Sequence, residues 1–459
     1  MNELHNAYEQ FHELRLKNSL FGYNQLQNLV EEISRNSQFE VNKEGLSTEN
    51  RSIYSLSIGQ GPVKILAWTQ MHGNEPTATM ALMDLVKFFN TPGQFTDLRD
   101  LILQNCSLKL IPMLNPDGVV HWTRETALGI DMNRDALQLN TPEGLILKAI
   151  QNSWNPDFGF NLHDQDRVHG VGNTGIPALM SFLAPAFNME KEINSKRAES
   201  MSVIGKLFTS MQSIIPNQIG RYPDDFEPRA FGDNITAWGT RVILIESGNE
   251  IDNREKPQVR KLNFIALIKA FEIIAMKMYS EYELDTYNSI PFNKRNMCDL
   301  KLEGLSGRNF NRPFDISINQ TESFLSSSRQ IKLRGKIEAV GDLSSQFGYR
   351  KINVGSLEIK NAFKLEKTVS REELENINFL DLIKSGILYI KIDFDTQPED
   401  FFPINTYKNS IIHELVSPEK PANFLLFEGS ILRYAIINGF LVDLDEPTPL
   451  TGVYGWNFN

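Results

Sequence analysis

Apolar positions recur along this chain in two rhythms, and the rhythm changes near residue 290. Over residues 1 to about 40, Leu14, Leu16, Leu20, Phe21, Leu26, Leu29, Val30 and Ile33 fall at helical intervals around Gly22. That spacing predicts a helical N-terminal segment over 1–45. From about 50 to 280, short unbroken apolar runs alternate with amphipathic stretches. VKILAWT (63–69), LKLIPML (108–114), FGFNLH (158–163) and RVILIES (241–247) have the continuous apolar character of strands buried on both faces. TATMALMDLVKFF and QVRKLNFIALIKAFEIIAMKMYSEYE read as helices. Alternating strands and helices predict an α/β domain over 46–285, with a mixed or parallel sheet covered on both sides.

Residues 286–315, rich in Asn, Gly and Pro, predict a linker. Beyond them, ILYIKIDFD alternates with period two, as a half-exposed strand does. SREELENINFLDLIKSG predicts a helix that opens on a Ser370/Glu373 capping box and stops at Gly386. The stretch FLLFEGSILRYAIINGFLVD predicts a meander turning at Glu428-Gly429 and Asn438-Gly439. Residues 316–459 are therefore expected to form a smaller β-rich domain.

A length of 459 residues suits two or three domains. No run of eighteen apolar residues and no apolar N-terminal core followed by small residues occurs, so neither a membrane span nor a cleaved leader is expected. Cys106 and Cys298 are too few for a disulfide framework and form no CxxC pair, which suits a reducing cytoplasm. The net charge of -11 is dispersed, with no basic cluster interleaved with aromatics, which excludes nucleic acid as an expected partner. The sequence carries no signal for oligomeric state.

Candidate chemistry gathers at predicted strand ends. In TQMHGNEPTAT, His72 follows a buried strand and Glu75 stands where a helix begins at Pro76. His163 ends another predicted strand, and crevices beyond the carboxyl ends of α/β strands are where ligands bind. His, Glu, His is a ligand set for catalytic zinc with one position left for water, although cobalt or manganese would also be accepted. His121 and His169 are alternative ligands. A hydrolytic metal also needs a base and oxyanion donors. Glu246 at the end of RVILIES is a candidate base, and Arg124, Asn133 and Arg134 in RETALGIDMNRD are candidate donors.

The ordered fragments HGNEP (72–76), NPDG (115–118), TRETALGIDMNRD (123–135), NLH (161–163) and IES (245–247) resemble the zinc-dependent metallocarboxypeptidase family, the carboxypeptidase A-like or funnelin group, over about 50–280. The spacing from NPDG to DMNRD is similar to that of bacterial murein-peptide amidases. The resemblance implies a mixed, mostly parallel eight-stranded sheet with helices on both faces, and one zinc per chain on His72, Glu75 and His163. It further implies Glu246 as general base, Arg124 at the scissile carbonyl, and Asn133 with Arg134 holding a substrate carboxylate. In place of the family's mobile-loop tyrosine, RYPDDFEPRAFGDNITAWG offers Tyr222, Arg229 and Asp233 as substrate contacts, and Ile235 matches the pocket-floor position. The implied activity is zinc-dependent cleavage of an amide beside a free carboxylate in a small peptide. N-acyl amino acid deacylation, as in succinylglutamate desuccinylases and aspartoacylases, is the alternative, since those enzymes share HGNE, the Asn-Arg pair and the strand-end histidine. A binding protein on the same fold that has lost catalysis is a third possibility.

Overall fold

The computed structural model describes all residues except 252, 282–283, 308–309, 356, 410–415, 447–449, 451 and 459. The chain divides into two units, Met1–Arg295 and Asn296–Asn459.

In the first unit the strands are β1 (Glu40–Leu46), β2 (Ser52–Ile58), β3 (Val63–Trp68), β4 (Cys106–Ile111), β5 (Phe158–Asp164), β6 (His169–Val171), β7 (Met180–Leu183), β8 (Ile219–Arg221), β9 (Arg241–Ser247) and β10 (Asn293–Arg295). Eight of them form one sheet in the order β1-β2-β4-β3-β5-β9-β7-β8, while β6 and β10 pair separately. The expected eight-stranded sheet is present, but it is mixed rather than mostly parallel. β3–β4, β3–β5, β5–β9 and β7–β8 are parallel, whereas β1–β2, β2–β4 and β7–β9 are antiparallel. The β1–β2 connection is a short hairpin, which only antiparallel strands can use, so that edge cannot be parallel.

Helices α1 (Asn2–Ala7), α2 (Tyr23–Asn36), α3 (Thr77–Asn90), α4 (Thr96–Asn105), α5 (Pro116–His121), α6 (Pro142–Trp154), α7 (Ser195–Met211), α8 (Phe231–Ala237), α9 (Pro257–Ala275) and α10 (Leu284–Ser289) accompany these strands. None of the described helices is long and apolar enough to cross a membrane. Both sheet faces are covered, as β3 shows. Its Ile65 and Ala67 enter the larger apolar cluster, which includes α3 and α9, while Leu66 and Trp68 enter a second with Leu147, Ile150 and Phe231. Alternation of side chains across a strand forces this division.

The N-terminal residues join the larger core. Gly22 caps α2, whose Leu26, Leu29, Val30 and Ile33 are buried as the spacing predicts, but Leu14 is exposed. Residues 40–46 are a strand, so the helical reading of 1–45 ends at Asn36.

The stretch 286–315 is not a linker. It contains the end of α10, β10, β11 (Met297–Gly307) and the start of β12 (Phe310–Leu325). Its glycines misled the pattern because Gly304 and Gly307 lie at register shifts in the β11–β12 ladder, where an irregular backbone is tolerated.

The second unit continues with β13 (Gln330–Gly341), β14 (Phe347–Asn353), β15 (Glu358–Lys360), β16 (Phe363–Val369), α11 (Arg371–Glu375), α12 (Phe379–Lys384), β17 (Ile387–Ile392), β18 (Asn405–Tyr407), β19 (Phe424–Glu428), β20 (Ile431–Ile437), β21 (Phe440–Asp443) and β22 (Asn457–Phe458). The Ser370/Glu373 capping box forms, and Gly386 follows at φ 79, but the intervening helix breaks into α11 and α12. β19, β20 and β21 form the expected meander, and Asn438 and Gly439 both have positive φ, as a tight hairpin turn requires. β17 lies between the parallel strands β16 and β18, with Leu388, Tyr389, Ile390 and Ile392 all buried, rather than half-exposed.

Candidate metal centre

Because β3, β5 and β9 are parallel neighbours, their carboxyl ends share one sheet edge. His72 and Glu75 lie in the turn from β3 into α3, His163 is near the end of β5, and Glu246 is its register partner on β9. The turn has its sharp form because Gly73 lies against the backbone of Gly118. A Cβ at Gly73 would stand 1.9 Å from the Gly118 carbonyl carbon. Asn115 ties the same loops together: its Oδ1 accepts from Gly118 N at 2.9 Å, and its Nδ2 donates to Met71 O and Glu125 O, each at 3.1 Å. NPDG is therefore a buttress beneath HGNEP.

The ligating atoms of His72, Glu75 and His163 all lie within 4.8 Å of one another, and all three residues are buried. Glu75 spans the two rings, with Oε1 2.7 Å from His72 Nδ1 and Oε2 2.8 Å from His163 Nδ1. The two Nδ1 atoms are 3.2 Å apart. On the far side of His72, Nε2 faces Asp131 Oδ1 at 3.2 Å. His72 therefore has a carboxylate oxygen at each ring nitrogen, Glu75 on the Nδ1 side and Asp131 on the Nε2 side. Two ring nitrogens and both oxygens of one carboxylate thus converge in a buried space, as the ligating atoms of a cation site do. The donor set of two imidazoles and one carboxylate fits zinc, and the Asp131 contact is the outer partner that fixes such a ligand's tautomer.

Charge around the cluster follows from these contacts. Burial opposes ionisation of Glu75, but His72 and His163 outweigh it and hold the carboxyl well below its usual range. Asp131 behaves alike, with burial overcome by the His72 hydrogen bond and Arg124. Glu246 goes the other way: burial, then the charges of Glu75 and Asp164, raise it well above the ordinary carboxyl value. Arg124 reaches into the centre, its Nε donating to Asp131 Oδ2 at 3.0 Å and its Nη1 standing 3.1 Å from His72 Nδ1 and 3.4 Å from Glu75 Oε1.

Comparison with known proteins gives this arrangement a family context. Residues 23–169 match the zinc carboxypeptidase family. The matched residues include His72, Glu75, Arg124, Asp131, Asn133, Arg134 and His163, while Glu246 lies beyond them. Among curated relatives, probable carboxypeptidase 2 of Arthroderma benhamiae is 26% identical over 121 residues, covering 26% of this chain and 22% of its own length. Carboxypeptidase SOL1 of Arabidopsis thaliana is 32% identical over 100 residues, covering 20% of each chain. The chain therefore spans about a fifth of the length of these relatives. A metallo-carboxypeptidase structure from Burkholderia cenocepacia superposes with a TM-score of 0.46 at 16% identity, over 56% of this chain and 70% of that one.

The remaining candidates divide between the matched residues and the stretch from the end of β8 through α8. Asn133 Oδ1 accepts from Phe231 N at 2.9 Å, which ties the two together. Arg134 is exposed, its Nε 3.5 Å from Glu227 Oε2. Arg229, also exposed, pairs with Glu227 at 2.9 Å. Tyr222 follows edge strand β8, its ring 5.4 Å from His169, and its phenol is raised first by burial and then by the charge of Glu246. Asp233 is buried, accepts from Glu227 N at 3.1 Å and is pushed up to about 6 by burial, so in this structure it anchors the loop. Ile235 has no exposed surface and packs with Trp68, Met132 and Phe231, a core position rather than a pocket floor.

His121 pairs with Glu49, and His169 lies against Tyr222, so neither alternative ligand joins the group. Asp131, which touches both His72 and Arg124, is the candidate that sequence reasoning passed over. The rule that a ligating histidine gives its second ring nitrogen to a carboxylate was the available signal.

Proposed function

We propose that this protein is a zinc-dependent hydrolase of the metallocarboxypeptidase kind, cleaving an amide bond beside a free carboxylate in a small peptide. The observation that carries the reading is the buried convergence of His72 Nδ1, His163 Nδ1 and both Glu75 oxygens, with Glu246 in register beside His163. His72, Glu75 and His163 would hold zinc, which supplies Lewis acidity toward a water and a carbonyl oxygen.

The chain's own groups do the rest. Glu246, with its raised proton affinity, takes the proton of the attacking water and delivers it to the leaving amine. Arg124 supplies positive charge and N–H donors where the carbonyl oxygen becomes negative. Arg134, with the Asn133 amide beside it, receives the substrate carboxylate, and that pairing fixes which bond lies before Glu246. Asp131 keeps the His72 ring and Arg124 in place.

The test is turnover of N-blocked dipeptides and N-acyl amino acids by zinc-loaded wild type and Glu246→Gln. Hydrolysis of the peptide bond next to the free carboxylate, lost by about 10²–10⁴-fold in Glu246→Gln with zinc content unchanged, is the expected result. Faster hydrolysis of the acyl amino acids would move the assignment to a deacylase. A zinc-replete protein that cleaves neither class would end the hydrolase reading.

A further inference from the structure

Arg134 and Arg229 do not stand alone at the rim of the site. Glu227 lies between them: its Oε1 accepts from Arg229 N at 3.1 Å and Nε at 2.9 Å, and its Oε2 accepts from Arg229 Nη2 at 2.9 Å and lies 3.5 Å from Arg134 Nε. The trio is held in place by backbone on both sides. Ala136 N donates to Arg229 O at 3.0 Å, Phe231 N donates to Asn133 Oδ1, and Glu227 N donates to Asp233 Oδ1.

Two-point pairing of a carboxylate with a guanidinium is also the geometry in which arginine receives a ligand carboxylate. Glu227 therefore holds donors that a substrate would otherwise reach. Two arginines and one glutamate leave a single net positive charge. One terminal carboxylate balances it, and a second acidic group on the same residue meets the Glu227 carboxylate.

We infer that Glu227 is a specificity-determining residue, an internal carboxylate that occupies Arg229 and turns the site against substrates whose C-terminal residue is itself acidic. This rests on the proposed peptidase reading, with Arg134 as the receiver of the terminal carboxylate. Hydrogen bonds to Arg229 first, and the Arg134 charge after, hold the Glu227 carboxyl down to about 2, so it is ionised throughout the working range.

The experiment compares zinc-loaded wild type, Glu227→Gln and Glu227→Gln/Arg229→Ala on N-blocked dipeptides ending in Phe or Glu. Glu227→Gln is expected to raise the Glu-to-Phe ratio of kcat/KM by about tenfold, through KM, and the added Arg229→Ala to return it toward wild type. An unchanged ratio overturns the inference. Calorimetric binding of glutarate and butyrate separates this from the hydrolase reading. Glutarate should bind Glu227→Gln about tenfold tighter than wild type, with butyrate changing much less. If glutarate binds the two proteins alike, the inference fails even for an active peptidase. If glutarate responds while neither peptide is cleaved, the clamp stands and the hydrolase reading falls.

Discussion

Two of the buried clusters of ionisable groups among the described residues of the first unit differ in how their polar atoms are matched. At Asp84, Oδ2 accepts from Tyr8 Oη at 2.7 Å and Arg260 Nε at 2.8 Å, while Oδ1 accepts from Glu13 N at 2.7 Å and Arg260 Nη2 at 2.5 Å. Arg260 spends further donors on Leu16 O and Glu13 O. Every donor there meets an acceptor, the charges cancel, and the result clamps the N-terminal segment onto α3 and α9. At His72, Glu75 and His163 the same burial brings metal-ligating atoms from three separate positions within 4.8 Å of one another. A buried polar cluster that closes on itself as an ion pair is structural, whereas one that gathers imidazole nitrogens and carboxylate oxygens around a point is suited to a cation.

The contrast is sharpest under ligand removal. His163→Ala should lower bound zinc from one per chain to less than about a tenth and abolish turnover while the fold persists, read by elemental analysis and circular dichroism. Retention of zinc would remove His163 from the set. Asp84→Ala should do the reverse. Stranding Arg260 in the core should cost about 3–5 kcal/mol in denaturant unfolding and leave zinc stoichiometry intact. A loss under about 1 kcal/mol would break the comparison, because the cluster would then be no clamp.

Smaller effects probe the supports. Asp131→Asn should weaken zinc about 10–100-fold in chelator competition, since His72 then faces a neutral amide oxygen in place of a charged carboxylate, with little change in unfolding. An unaltered affinity would show that the contact at 3.2 Å does not orient the ring.

The smallest effect concerns pH. Asp233 binds its proton more tightly in the fold, at about 6, than at its ordinary 3.8. Its contribution to stability is therefore fullest below about pH 4 and is lost as pH rises to about 6. Asp233→Asn, which keeps an acceptor for Glu227 N, should gain about 1–2 kcal/mol on wild type between pH 4 and pH 7. A difference that does not vary with pH would mean that Asp233 is not desolvated.

Much of the centre was legible because strand ends have strong local signals. The apolar runs before His72, His163 and Glu246 marked buried strands, and parallel neighbours bring their carboxyl ends together without further information. The rim was less legible. Asp233 and Ile235 look like pocket residues in the loop sequence, yet α8 turns both inward, because Ile235 packs with Trp68 and Met132 and Asp233 caps the loop at Glu227. Glu227, in turn, had no motif to single it out. The strands over 293–307 were hidden because Asn, Gly and Pro mark turns in an isolated sequence, whereas here the β6 and β12 ladders supply the hydrogen bonds that override that preference.

What the sequence determines by itself is the identity and order of the centre's groups: a turn with histidine and glutamate three apart, a strand-end histidine, a strand-end glutamate, and the apolar periodicity that buries them. Tertiary structure decides the rest. It selects His163 over His121 and His169, places Asp131 behind His72, mixes the strand directions and sets Glu227 between two arginines. These outcomes depend on contacts between residues tens of positions apart, and no local pattern encodes which distant side chain will fill a given space.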